Sequence, residues 1–152
     1  MLVQKALQDY LREFILREES LVQPDEVLTA QLKRYAKGRG LFHGYCRYLR
    51  ERTRFEWSRS PVPQDRIEQI NLCRNDIAHD PSIEGGWIQQ SPEHFRRFPE
   101  SIFADDFLMA VFRTETDTPE VPAVISVTGD KLRAAIEDIR NFCTFVEAHR
   151  TR

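Results

Sequence analysis

The chain has 152 residues, enough for one domain with its own core. Hydrophobic residues make up 41% and charged residues 30%, which excludes a disordered polymer, and no apolar run approaches the length of a membrane-spanning helix. Net charge is −2, so no overall pull toward a polyanion exists, yet the charges are unevenly spread.

Between Lys33 and Arg66 ten Lys or Arg face only Glu51, Glu56 and Asp65, a local balance of +7 that leaves −9 for the rest. Arginine outnumbers lysine heavily. Its planar fork binds phosphate and stacks on bases, so the bias suits a nucleic-acid partner. A solvated helix face would carry the same charges.

The N-terminus shows no basic-then-apolar leader pattern and enters an amphipathic helix at once, so a cytoplasmic location is expected. Val3, Ala6, Leu7, Tyr10, Leu11 and Phe14 fall at three-and-four spacing, predicting a helix over 2–18. A second helix starts near Pro24-Asp25-Glu26, with proline and acids in its first turn, and ends before Gly38. A third covers about 41–53, with Phe42, Tyr45, Cys46 and Leu49 on one side. After the break at Ser60-Pro61-Val62-Pro63 a fourth runs from about Gln64 to Ala78 or His79.

Residues 80–104 read as irregular, apart from a short helix that Ser91-Pro92-Glu93 would cap, ending at Arg97. Phe107–Arg113 and Ala123–Val127 are rich in β-branched and aromatic residues and flank a turn-prone stretch, which predicts a β-hairpin. The last helix, about 130–149, carries Leu132, Ala135, Ile136, Ile139, Phe142, Cys143 and Val146 as an apolar stripe, with Thr128 as N-cap. The expected fold is mainly α: one helical-bundle domain over 1–152, with an insert at about 80–128 carrying the hairpin before the C-terminal helix. Cys46, Cys73 and Cys143 are widely spaced and odd in number, so free thiols are expected rather than disulfides or a zinc site. The four histidines are scattered, no HExxH motif occurs, and Asp105-Asp106 reads as a turn end. No metal or other cofactor is expected.

The chemistry concentrates in Arg74-Asn75-Asp76-Ile77-Ala78-His79, at the end of the fourth helix and before Asp80-Pro81. With Ile67 set at zero and about 100° per residue, Ile70 falls near 300°, Ile77 near 280° and Arg74 near 340°, within the apolar stripe. Three environments would suit such an arginine: a packed stem with its head in water, an internal carboxylate, or a partner subunit or ligand anion. Asn75, near 80°, and His79, near 120°, are four apart and can touch. A histidine at a helix C-terminus is also a favourably placed cation without any catalytic duty.

The stretch Ile70 to Asp80 resembles the signature of HEPN domains, in which an arginine, a polar neighbour and a histidine a few residues on close a helix of an α-helical bundle. The resemblance covers about a dozen residues by motif and the rest by architecture. It implies a metal-independent endoribonuclease of toxin–antitoxin, abortive-infection or CRISPR-associated defence systems, acting as a homodimer whose two motif copies form one cleft. Arg74 and His79 would then be catalytic and Asn75 would orient them. RNA, a second copy of the chain, and an antitoxin or defence-complex protein are the implied partners; no membrane is. A HEPN protein used in toxin–antitoxin pairs carries a tyrosine two positions after the histidine. Pro81 stands there in this chain, so control through a modified tyrosine is not carried over.

The chemistry is self-consistent. An imidazole titrates near neutrality and can take the proton of an RNA 2′-hydroxyl or protonate the leaving oxygen. A guanidinium can hold the charge that builds on the phosphorane oxygens. Aromatic residues interleave with the basic segment, so single-stranded RNA could track along it; Arg47, Tyr48, Arg50, Arg54 and Trp57 are the contact candidates, while Phe42 and Tyr45 read as core. The rival reading is a non-catalytic module of the same fold that binds RNA, a nucleotide or a protein.

Overall fold

The computed structural model describes residues 2–18, 25–37, 39–52, 55–79, 88–115 and 123–149. The fold is mainly helical, with a small two-stranded antiparallel sheet. In chain order the elements are α1 (Leu2–Glu18), α2 (Asp25–Ala36), α3 (Leu41–Arg52), a 3-10 turn (Trp57–Arg59), α4 (Gln64–His79), β1 (Ile88–Gln89), α5 (Pro92–Arg97), α6 (Asp106–Glu115), β2 (Val124–Ile125) and α7 (Gly129–Ala148). None of the described helices is long and apolar enough to cross a membrane. The residues group into two compact units, 65–136 and 2–64 with 137–152.

In the second unit the apolar stripe of α1 buries Leu7, Leu11, Phe14 and Ile15, and α3 buries Phe42, Tyr45, Cys46, Tyr48 and Leu49. From α7, Phe142 and Val146 join this core. Phe142 stacks flat on Trp57 with ring centroids 5.0 Å apart, and Phe55 meets both rings edge-on. The Tyr10 hydroxyl donates to the Cys143 carbonyl at 2.9 Å, tying α1 to α7. Gly44 sets the α2–α3 crossing: a Cβ there would lie 2.3 Å from the Leu32 carbonyl oxygen. In a free helix Gly→Ala gains roughly 1 kcal/mol. Here the backbone contact reverses the sign, and Gly44→Ala is expected to lower stability by about 1–3 kcal/mol as α2 is forced away. Denaturant unfolding checks this; a higher midpoint would mean that the two helices part freely.

In the first unit the short β1–β2 pair is antiparallel, with Ile88 opposite Ile125 and Gln89 opposite Val124. Ala104 bridges Ile125, and Asp105 N donates to the Val124 carbonyl at 2.8 Å. Gln90 fastens the pair: its side-chain oxygen accepts from Ala123 N and its amide donates to the Phe98 carbonyl. Ser91 caps α5 as expected, its hydroxyl accepting from His94 N, and Thr128 caps α7 by accepting from Lys131 N.

The hairpin expected over 107–127 is corrected in its strands. Residues 107–113 belong to helix α6, and β2 pairs instead with β1 from the segment read as irregular. The reason is local. Asp105 acts as N-cap, its carboxylate accepting from Leu108 N at 3.0 Å, and Asp106 adds an acid to the first turn. The run of apolar residues beyond it has no period-two alternation to favour a strand. Cys46 and Cys73 are buried and Cys143 half-buried, all free. Burial pushes the Cys143 thiol up to about 11; burial and then the Asp76 charge push that of Cys73 up to about 12. Neither is a thiolate at neutral pH.

Candidate functional site at the end of helix α4

Helix α4 is buried on most sides between Ile67 and Cys73, and it includes the polar residues Glu68 and Gln69. Each is consumed by a partner in the same unit. Glu68 pairs with Arg97 of α5, and the Gln69 side-chain oxygen accepts from Ile102 N at 2.9 Å. One turn before the helix ends, Asp76 Oδ2 lies 2.6 Å from Nδ1 of His94, which is fully buried. Three polar pins therefore fix α4 against α5 and the 101–104 segment. The motif sits on the last turn and a half of a clamped helix.

Arg74 and Asn75 occupy the other sides of that turn and are half-buried. Arg74 Nη1 donates to Asn75 Oδ1 at 3.0 Å, so the long guanidinium arm reaches sideways to its neighbour. Among the described residues Arg74 makes no ion pair with a carboxylate, and its Nε is buried without a hydrogen-bond partner. Leaving a buried donor unsatisfied costs about 1–3 kcal/mol, more on a charged group. Of the three environments open to this arginine, an internal carboxylate is not the one found among the described residues. His79 is the last residue of α4, so the helix ends where the sequence indicates; its imidazole is not among the described side chains.

The residues expected to contact RNA divide. Arg47, Arg50 and Trp57 line one cavity of about 580 Å3 in the other compact unit. Tyr48 does not join them. It is 2% exposed, meets Tyr35 edge-on with centroids 5.7 Å apart, and offers no face to a base. It lies three residues beyond Tyr45 and next to Leu49, so the core stripe of α3 already claims it. Arg54 falls outside the described residues, as do Asp80 and Pro81. Phe42 and Tyr45 are core, as read.

Sequence reasoning missed the Asp76–His94 pair. The available signal was Gln69 and Asp76, seven apart and near 200° and 180° on the same wheel, two polar residues on a helix side that must face protein. Compared with known proteins, the chain matches no family model, no curated protein and no solved structure. The resemblance to the HEPN signature therefore rests on the motif in the sequence and its placement at a helix end.

Proposed function

We propose that this chain is a metal-independent endoribonuclease of HEPN type, with Arg74 and His79 catalytic and Asn75 positioning the arginine. The observation that carries the reading is a guanidinium held by an amide oxygen, one of its buried donors unspent, just before a helix terminus occupied by histidine. A guanidinium fork is the group from which the oxyanion of a scissile phosphate would accept. In the proposed step one imidazole removes the proton of the 2′-hydroxyl, and the 2′ oxygen bonds to phosphorus. The P–O5′ bond breaks as a second imidazole protonates the leaving oxygen. The products are a 2′,3′-cyclic phosphate, or its hydrolysed form, and a 5′-hydroxyl.

Two imidazoles call for two copies. Phe107, Val111, Leu132 and Ile136 belong to the same unit as the motif and expose 36–74% of their surface, and Ile77, inside the motif, exposes 39%. Such residues supply apolar area for a second copy. Phe107→Glu is expected to shift the mass in solution from dimer to monomer and to lower cleavage with it. An unchanged mass and rate would remove Phe107 from the interface. By the resemblance, the setting is a cytoplasmic toxin or antiviral defence effector held in check by a partner protein. The deciding experiment is cleavage of RNA in EDTA by the unsubstituted chain against His79→Ala and Arg74→Ala. RNA binding that weakens with salt, with no cleavage at any enzyme concentration, would mark a non-catalytic module instead.

A further inference from the structure

Among the described residues, the cavity at the α2–α3 turn is lined by four cations and no carboxylate: Lys37, Arg39, Arg47 and Arg50, beside Tyr35 and Trp57. We propose that it binds one nucleotide unit, the base against Trp57 and the phosphate among Lys37, Arg39 and Arg50.

Charge argues for an anion. Arg47 is already spoken for. Its Nε donates to Glu51 at 2.7 Å and its guanidinium lies 5.7 Å from the Tyr35 ring centroid. That bond is the main reason the Glu51 carboxyl is held below the usual carboxylate range, and the Tyr35 hydroxyl adds a second hydrogen bond. Among the described residues neither Lys37 nor Arg39 has an ion-pair partner. Cations lining one concave surface raise the local concentration of an anionic ligand.

Shape and stiffness argue for a planar group attached to that anion. A cavity of about 580 Å3 falls within the range of small-molecule sites. Trp57 is stacked on Phe142 at 2° and braced edge-on by Phe55, so its ring is fixed before any ligand arrives. The turn itself is specialised. Lys37 adopts φ 48° and Gly40 φ 89°, left-handed conformations that reverse the chain between α2 and α3 and bring Lys37 and Arg39 to the cavity. Cys46, also in the lining, keeps its thiol protonated because burial pushes its pKa up, so that wall carries no charge. Fixed ring and converging forks are what a base with its phosphate recognises.

This proposal is independent of Arg74 and His79, which belong to the other compact unit. The test is calorimetric titration of the full chain with adenosine 5′-monophosphate, adenosine, inorganic phosphate and a short 2′-O-methyl RNA. The last has no 2′-hydroxyl to attack, so binding is read apart from cleavage. Lys37→Gln with Arg39→Gln changes two exposed side chains and leaves the core intact. The double substitution is expected to weaken nucleotide binding at least about tenfold, and Trp57→Phe to weaken it several-fold. Adenosine and phosphate alone are expected to bind at least about tenfold more weakly than the monophosphate or the oligonucleotide. Tight binding of the monophosphate identifies a free nucleotide as the ligand; binding of the oligonucleotide alone identifies a nucleotide within a strand. The proposal is overturned if neither binds, if the double substitution changes nothing, or if phosphate alone binds as tightly. Arg74→Ala is expected to leave monophosphate binding unchanged, so loss of cleavage and loss of this site read out separately.

Discussion

His79→Ala is expected to slow RNA cleavage by about 10²- to 10⁴-fold, the range lost with a general acid or base. Arg74→Ala is expected to slow it by about 10²- to 10³-fold, as when one preorganised donor to a developing oxyanion is removed. The Arg74→Ala protein should fold, because among the described residues the guanidinium contacts only Asn75 by hydrogen bond and α4 is fixed by Glu68, Gln69 and Asp76. Arg74→Lys keeps the charge and loses the fork, so activity should return only in small part. Asn75→Ala should fall between, since it frees the arginine without removing it. The measurement is cleavage of a labelled RNA under EDTA, with circular dichroism and melting temperature run in parallel. Unaltered rates in both alanine variants would end the nuclease reading.

The second large effect falls on a residue of the same hexapeptide and has the opposite signature. Asp76→Ala or His94→Ala should cost about 3–5 kcal/mol, because each strands its partner in the interior. For a chain of this size that is a fall of roughly 10 °C in melting temperature. The two carry almost no exposed surface, and their distance of 2.6 Å leaves no room for water between them. Replacing both together by leucine should recover part of the loss, since no lone polar group is then buried. Thermal unfolding of the two singles and the double forms a complete cycle. Singles that melt with the unsubstituted chain would mean the pair contributes nothing to holding α4.

Much of the helical framework was legible because its signals are local. The stripe Leu7, Leu11, Phe14 and the caps Ser91 and Thr128 act within a turn or two of the residues they organise. Helix α6 is ambiguous in the sequence because residues 107–112 are apolar at every position, so composition suggests a strand and no period opposes it. The start signal in Asp105-Asp106 was there to be used. The strand partner of Val124–Ile125 lies over thirty residues away in a two-residue strand, too short to show alternation. Arg74 stood out from its place in the apolar stripe, and its sideways bond to Asn75 was not deducible, since neighbours on a helix do not face each other. The charges around Tyr48 suggest a surface contact, whereas its position on the α3 wheel puts it in the core. The Asp76–His94 contact is a matter of tertiary packing and leaves only a polar residue on a buried side as its trace.

Along these six positions, chemistry and architecture are interleaved residue by residue. If Arg74 and His79 carry the proposed chemistry, a descendant relieved of it would drift at those two positions while keeping the aspartate between them, because the interior would still require it. Silent relatives would thus betray their ancestry through Asp76 and His94 rather than through the arginine and histidine that first draw the eye.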